Sequence, residues 1–296
     1  MSWKSIADLL TDDETAPVAL LGAPMEAGSV TPGRCDLAPE TVRRALKRFS
    51  TWDAGEELEL DLAVHDAGDI RVRGISPAEG FHPIRLAVER CALAHDLVVL
   101  LGGNNAVTRP AAHALGLPLD RIGLITLDAH HDMRDTDQGP MNGNPIRCLL
   151  EDGMPGRNIC QIGIAPFANT RKMSEDAHEA GIRLVTIEDI AHDDIVAVID
   201  EVLGEAGALA DVDLLIVDFD IDVIDRAQLP GAPGARPGGL PVRDFFRAAR
   251  HLARNPKVRL VDLTEFDPSL DLSDISALTA GRWVCEILAG YAMRAP

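Results

Sequence analysis

Residues 214–225 read LLIVDFDIDVID. Apart from Asp218, the stretch Leu214–Phe219 is apolar throughout, the pattern of a strand buried on both faces of a parallel sheet. Asp218, Asp220 and Asp222 then share one parity, so an extended chain sets three carboxylates side by side. Seven other short runs rich in Val, Ile and Leu have the same character: Val18–Gly22, Ala63–Ala67, Leu97–Leu101, Ile122–Leu127, Ile159–Ile164, Arg183–Ile187 and Val258–Leu263. Helical periodicity lies between them at Pro39–Phe49, Pro83–Ala94, Asp194–Leu203 and Val242–Leu252, with Pro39 and Pro83 suited to a first helical turn. Regular β–α alternation with right-handed crossovers predicts an α/β fold, a three-layer α/β/α sandwich around an eight-stranded parallel sheet; eight units also permit a closed barrel. Neither a repeat nor a linker interrupts the pattern, so one domain is expected over residues 1–296. The Gly/Pro-rich Leu229–Pro241 reads as a long functional loop within it.

In such folds sites gather at the carboxyl ends of the strands. Directly after Ile122–Leu127 comes DAHHD, in which Asp128, His130 and Asp132 alternate and project to one side. A solvated polar turn is the bland alternative, but it gives no reason for this spacing at a strand end. For Asp218, Asp220 and Asp222 the bland alternative is weaker still, because packed carboxylates without a cation raise one another's pKa and destabilise the fold. Asp128, His130, Asp132, Asp220 and Asp222 form an oxygen-rich set with one nitrogen. Such hard ligands favour Mn2+ or Mg2+ over zinc, and two Mn2+ ions are expected. A pair of such ions acidifies a shared water for attack on an electrophilic carbon, the work of a hydrolase.

Composition narrows the partners. The 296 residues hold 28 Lys+Arg against 47 Asp+Glu, a formal charge of −19, which repels nucleic acid and anionic membranes. No apolar run approaches the ~20 residues of a membrane span, and the start MSWKSIADLLTDDETAP lacks the basic, apolar pattern of a signal peptide. The five cysteines are odd in number and widely spaced, as in a reducing cytoplasm. A cytoplasmic protein without nucleic-acid or membrane partners is expected. His65, His95, His113 and His131 are expected to be packed or solvated, Cys148 and Cys160 to be core thiols, and Tyr291 to lie at a helix end.

These motifs carry a family resemblance. DAHHD resembles the DAHxD signature of the ureohydrolases (arginase, agmatinase and formimidoylglutamase), and DFDIDVID followed by Pro230-Gly231 resembles their SxDxDxxD…PG signature. Leu101–Ala106 (LGGNNA) stands where the family has GGxHS, Asp262–Pro268 (DLTEFDP) resembles its end motif, and Gly33–Arg43 resembles its GxxxGPxxIR element. The match spans most of the chain. It implies the arginase-like sandwich, a binuclear manganese site and assembly as a homotrimer or hexamer. It further implies that Asp128 and Asp220 bridge two ions, that Asp132 completes one shell and that His130 with Asp222 completes the other. Glu265 would contact the cationic amidine or guanidine of a small-molecule substrate, and Asp132 would relay a proton.

Two departures refine this. The family's first metal histidine falls at Asn105, a neutral and weaker ligand toward Mn2+, so one ion is expected to be weakly held or absent. Asn142 stands where arginases and agmatinases place a proton-shuttling histidine, and an amide cannot shuttle protons. Formimidoylglutamases, by resemblance, also lack that histidine, and Gln161–Thr170 (QIGIAPFANT) resembles a run of that branch. The expected reaction is therefore hydrolysis of N-formimidoyl-L-glutamate to L-glutamate and formamide. Asn142, Asn144, Arg147 and Glu265 are the expected substrate contacts. Arg134, Arg147 and Arg171 could clamp carboxylates, with Arg147 favoured. The alternatives are an agmatinase or guanidino-acid hydrolase releasing urea, and a degenerate member that binds a ligand or builds an oligomer without turnover.

Overall fold

In the computed structural model, which describes residues 3–294, all eight expected strands form one sheet, joined by a ninth. Residues 1–2 and 295–296 of the expected single domain lie outside the described residues. In chain order the strands are β1 (Leu10–Thr11), β2 (Val18–Ala23), β3 (Trp52–Asp53), β4 (Leu58–Glu59), β5 (Val64–Asp69), β6 (Leu97–Gly102), β7 (Ile122–Leu127), β8 (Ile159–Ile164), β9 (Arg183–Thr186), β10 (Leu214–Asp220) and β11 (Val258–Thr264). β3 and β4 make a separate antiparallel pair. The other nine lie in the order β1-β5-β2-β6-β11-β10-β7-β8-β9, every pairing parallel. The expected count of eight is thus corrected to nine. The addition, β1, is a two-residue edge strand paired with Val64 and His65, too short to show a pattern of its own.

The central strands are buried along nearly their whole length because both faces are covered. In β6, Leu97, Val99 and Leu101 join one apolar cluster while Val98 and Leu100 join the other. Phe219 anchors the first cluster, edge-on to Phe245 at 5.5 Å and to Trp283 at 5.3 Å. These partners come from the helices Val242–Arg254 and Ile275–Ala292, whereas Pro77–Ala94 and Thr108–Ala112 pack into the second cluster. The result is helix, sheet, helix in three layers, the open sandwich and not the barrel.

One helix start differs from expectation. The helix containing Pro83 begins a turn and a half earlier, at Pro77, and Pro83 lies inside it. Ser76 is the reason. Its hydroxyl accepts from the Glu79 amide at 3.4 Å while the Glu79 carboxylate accepts from the Ser76 amide at 3.0 Å, a reciprocal cap that fixes the start. Ser76→Ala is expected to lower stability by about 1 kcal/mol, read as a lower urea midpoint with an unchanged slope.

The histidines with bland expectations are packed or paired: His65 and His95 stack at 5.3 Å, and His113 lies 2.8 Å from Asp152. Cys148 and Cys160 are buried thiols. Among the described residues, no helix is long and apolar enough to cross a membrane.

Candidate metal centre and substrate cavity

Strand order decides what meets. The neighbours β6, β11, β10 and β7 end side by side, although β6 and β11 are more than 150 residues apart in sequence. Each delivers polar groups at or just past its carboxyl end: Asn104 and Asn105, Asp262 to Glu265, Asp218 to Asp222, and Asp128 to Asp132. Two of these residues need a left-handed backbone, Asp132 at φ 51° and Glu265 at φ 61°. Such angles occur in non-glycine residues mainly where surrounding structure enforces them.

The acids gather in two halves. In the first, Asp128, His130 and Asp222 present donor atoms all within 4.8 Å of one another. His130 Nδ1 lies 3.1 Å from Asp222 Oδ2, and the Asp128 carboxylate accepts from the His130 amide at 2.7 Å. The second half surrounds the Asn105 amide, whose Nδ2 is 3.0 Å from Asp132 Oδ2, 3.3 Å from Asp218 Oδ2 and 3.4 Å from Asp220 Oδ2. Asp128, Asp132, Asp218, Asp220, Asp222 and Glu265 are all buried.

So much buried negative charge distorts every titration. Burial, reinforced by neighbouring carboxylates, pushes Asp132, Asp218 and Asp220 well above the ordinary carboxylate range. Asp128 rises to about 6 for the same leading reason. Asp222 faces the same burial, yet its contact with His130 brings it below the usual value. His130 in turn is pushed up to about 12, chiefly by Asp222. Glu265 rises to about 7 through burial, although it accepts from the Asn142 side chain at 2.9 Å and the Asn105 backbone N–H at 2.7 Å.

A hard divalent cation fits this donor set. Asp222 Oδ1 is buried without a hydrogen-bond partner, and one imidazole cannot balance so many carboxylates. Gly234 keeps the centre open from the Leu229–Pro241 loop: a Cβ there would fall 1.8 Å from Asp222 Oδ2 and 3.2 Å from His130 Cε1. Gly234→Ala is expected to lower Mn2+ affinity by tenfold or more by displacing both side chains, as measured by calorimetric titration.

A cavity of about 230 Å³ opens onto the centre. His130, Asp132, Asp222 and Glu265 line it, together with Asn142 and two arginines, Arg134 and Arg236. Asn142 also ties the cavity to a loop near the N-terminus, its Oδ1 accepting from the Val30 amide at 2.8 Å.

The chain belongs to the arginase family. The model of that family matches residues 16–290. The formimidoylglutamase of Halalkalibacterium halodurans is 31% identical over 282 residues, covering 93% of this chain and 87% of that protein. The crystal structure of formimidoylglutamase from Bacillus subtilis superposes with a TM-score of 0.91 at 27% identity, covering 99% of this chain and 94% of that one. Trypanosoma cruzi formiminoglutamase with Mn2+2 shares the fold, with a TM-score of 0.90 at 21% identity over 99% of both chains.

Within this arginase-family site two expected substrate contacts are displaced. Arg147 lines a neighbouring hollow, where its Nη2 donates to Asp176 at 2.5 Å and to the Met133 carbonyl at 3.2 Å. It sits on the helix Pro145–Glu151, which turns its side chain toward that of Arg171–Glu179. Asn144 is fully buried and holds its own loop, donating to the carbonyls of Asp135 and Gly139 and accepting from the Met141 amide. Arg171 is exposed at a helix start and does not line the cavity.

Other residues were not singled out from sequence. Arg236 hides in a loop whose only signal was its Gly/Pro content. Asp262 lies opposite Asp218 in the β10–β11 register, a partner that only the strand order reveals. His131 is packed, in line with expectation, and is buried between Gln161 Oε1 at 2.9 Å and Ser174 Oγ at 3.0 Å, so that it braces the metal loop from behind.

Proposed function

We propose that this arginase-family hydrolase converts N-formimidoyl-L-glutamate and water to L-glutamate and formamide. The carrying observation is the cavity's pairing of opposite charges: buried carboxylates at the metal centre, and Arg134 and Arg236 beside them, neither in an ion pair among the described residues. The substrate has the matching polarity, one cationic amidine and two carboxylates. Agmatine, with a cation at each end, would meet the arginines unfavourably. The relatives named formimidoylglutamase support the same reading.

Asp128, His130 and Asp222 would hold one Mn2+, and Asn105, Asp132 and Asp220 the other, with Asp128 and Asp220 shared between them. When bound, the ions supply Lewis acidity and lower the pKa of water. Glu265 accepts a hydrogen bond from the amidine, held in place by Asn142 and the Asn105 backbone N–H. Arg134 and Arg236 receive the carboxylates and fix the formimidoyl carbon over the centre. Water adds its oxygen to the formimidoyl carbon and gives a proton to Asp132, which passes it to the glutamate nitrogen as the C–N bond breaks, a task closed to Asn142.

The enzyme is proposed to work as one domain, as a homotrimer or hexamer, in the cytoplasm. Five unpaired cysteines support a reducing compartment. The test is a substrate panel with Mn2+ added. Formamide from N-formimidoyl-L-glutamate is expected. Urea from agmatine or a guanidino acid instead would replace the substrate, and metal uptake with no turnover would favour the non-catalytic alternative.

A further inference from the structure

Asn105 reaches the metal centre with the wrong atom. Its Nδ2, which carries only hydrogens, faces Asp132, Asp218 and Asp220, while its Oδ1 faces away and accepts from the Thr108 hydroxyl at 2.7 Å. An amide binds a hard cation through oxygen alone. To serve as a ligand, the Asn105 amide must turn about and exchange the two atoms.

We infer that Thr108 is the positioning residue that permits this reversal and so sets the affinity of the second metal position. The inference rests on the two-ion reading above. Thr108 is fully buried, and its hydroxyl also lies 3.1 Å from Asp262 Oδ2. A hydroxyl both donates and accepts but carries a single proton. With Oδ1 toward it, Thr108 gives that proton to Asn105. With Nδ2 toward it, Thr108 accepts from Asn105 and gives the proton to Asp262 instead. Asp262 is a ready acceptor: it is fully buried, and its Oδ2 already lies within reach of the hydroxyl. The ligating orientation therefore uses two hydrogen bonds through Thr108, and the other orientation one. Without the hydroxyl, the ligating orientation loses more, because it leaves a buried amide donor unpaired.

The test measures Mn2+ stoichiometry by elemental analysis and affinity by calorimetric titration, with circular dichroism to confirm folding. Wild-type protein is expected to take two ions of unequal affinity. In Thr108→Val the weaker affinity falls by tenfold to a hundredfold while the tighter is kept. Thr108→Ala reads the same way should the valine variant not fold. Thr108→Ser restores the wild-type value, and adding Asn105→His to Thr108→Val restores tight binding, because imidazole has no oxygen–nitrogen choice to make. A Thr108→Val or Thr108→Ala protein that binds both ions as tightly as wild type overturns the inference while leaving the two-ion reading intact. Wild-type protein that takes up fewer than two ions overturns that reading and the inference with it.

Discussion

Asp132→Asn is expected to reduce turnover by about 10³-fold or more and, in metal-stripped protein, to raise the melting temperature. The two effects share one cause. Asp132 is a buried carboxylate among Asp128, Asp218, Asp220, Asp222 and Glu265, and their mutual repulsion is tolerable because a cation can bind there. Removing one charge relieves repulsion in the stripped chain and removes a proposed ligand from the loaded one. Asparagine is the gentlest replacement, since position 132 has φ 51°, a conformation that asparagine tolerates better than most residues, and its side-chain oxygen can still accept from Asn105. Loss of the proposed ligand and of the proposed proton relay together removes several kcal/mol of transition-state stabilisation, hence the factor of about 10³. Stability should reverse with loading. At Mn2+ a hundredfold above its dissociation constant, wild-type protein gains about 2.7 kcal/mol, roughly 5 °C for a chain of this size. The variant, having lost a ligand, should gain far less. Calorimetric scans with chelator and with Mn2+ check both halves. A variant that melts below wild type in chelator would show that Asp132 is stabilising in itself.

The same charge logic separates what was legible in the sequence from what was not. Carboxylates at alternate positions after an apolar run signal a strand end, so Asp128, His130, Asp220 and Asp222 could be read locally. Asn105 and Glu265 lie a few residues beyond apolar runs, and their expected roles came from the family resemblance. Sheet order is a long-range property. It places β11 between β6 and β10, and only that arrangement sets Asp262 against Asp218 and brings it to Thr108. A helix likewise hides the direction of its side chains until its neighbour is known. Arg147 follows the substrate segment in sequence, yet the packing of Pro145–Glu151 turns it to Asp176. The nine strands show the opposite limit, since β1 is held by its neighbour β5 and carries too few residues to be read alone.

Arg134→Met is expected to raise KM for N-formimidoyl-L-glutamate by about 10- to 100-fold with a smaller change in kcat. Arg134 borders the cavity without an ion-pair partner among the described residues, its stem passing over Gly143, where a Cβ would come within 2.7 Å of Arg134 Cδ. Its guanidinium is thus free to meet a carboxylate, and one such charge-assisted contact contributes about 1.5–3 kcal/mol, which is the stated range in KM. Methionine keeps much of the apolar stem while removing the charge, so lost packing on Gly143 contributes little. Because the contact lies away from the reacting carbon, it holds ground state and transition state alike, and the loss falls on KM. Arg236→Met should act in the same direction. Its Nη1 already donates to the Gly234 carbonyl at 2.6 Å, so its loss also loosens the loop beside Asp222 and extends to kcat. Arg147→Met provides the contrast, leaving KM unchanged because that guanidinium is engaged by Asp176 outside the cavity. Steady-state kinetics on the three variants distinguish these assignments: a large KM effect confined to Arg147→Met would return the carboxylate clamp to the neighbouring hollow.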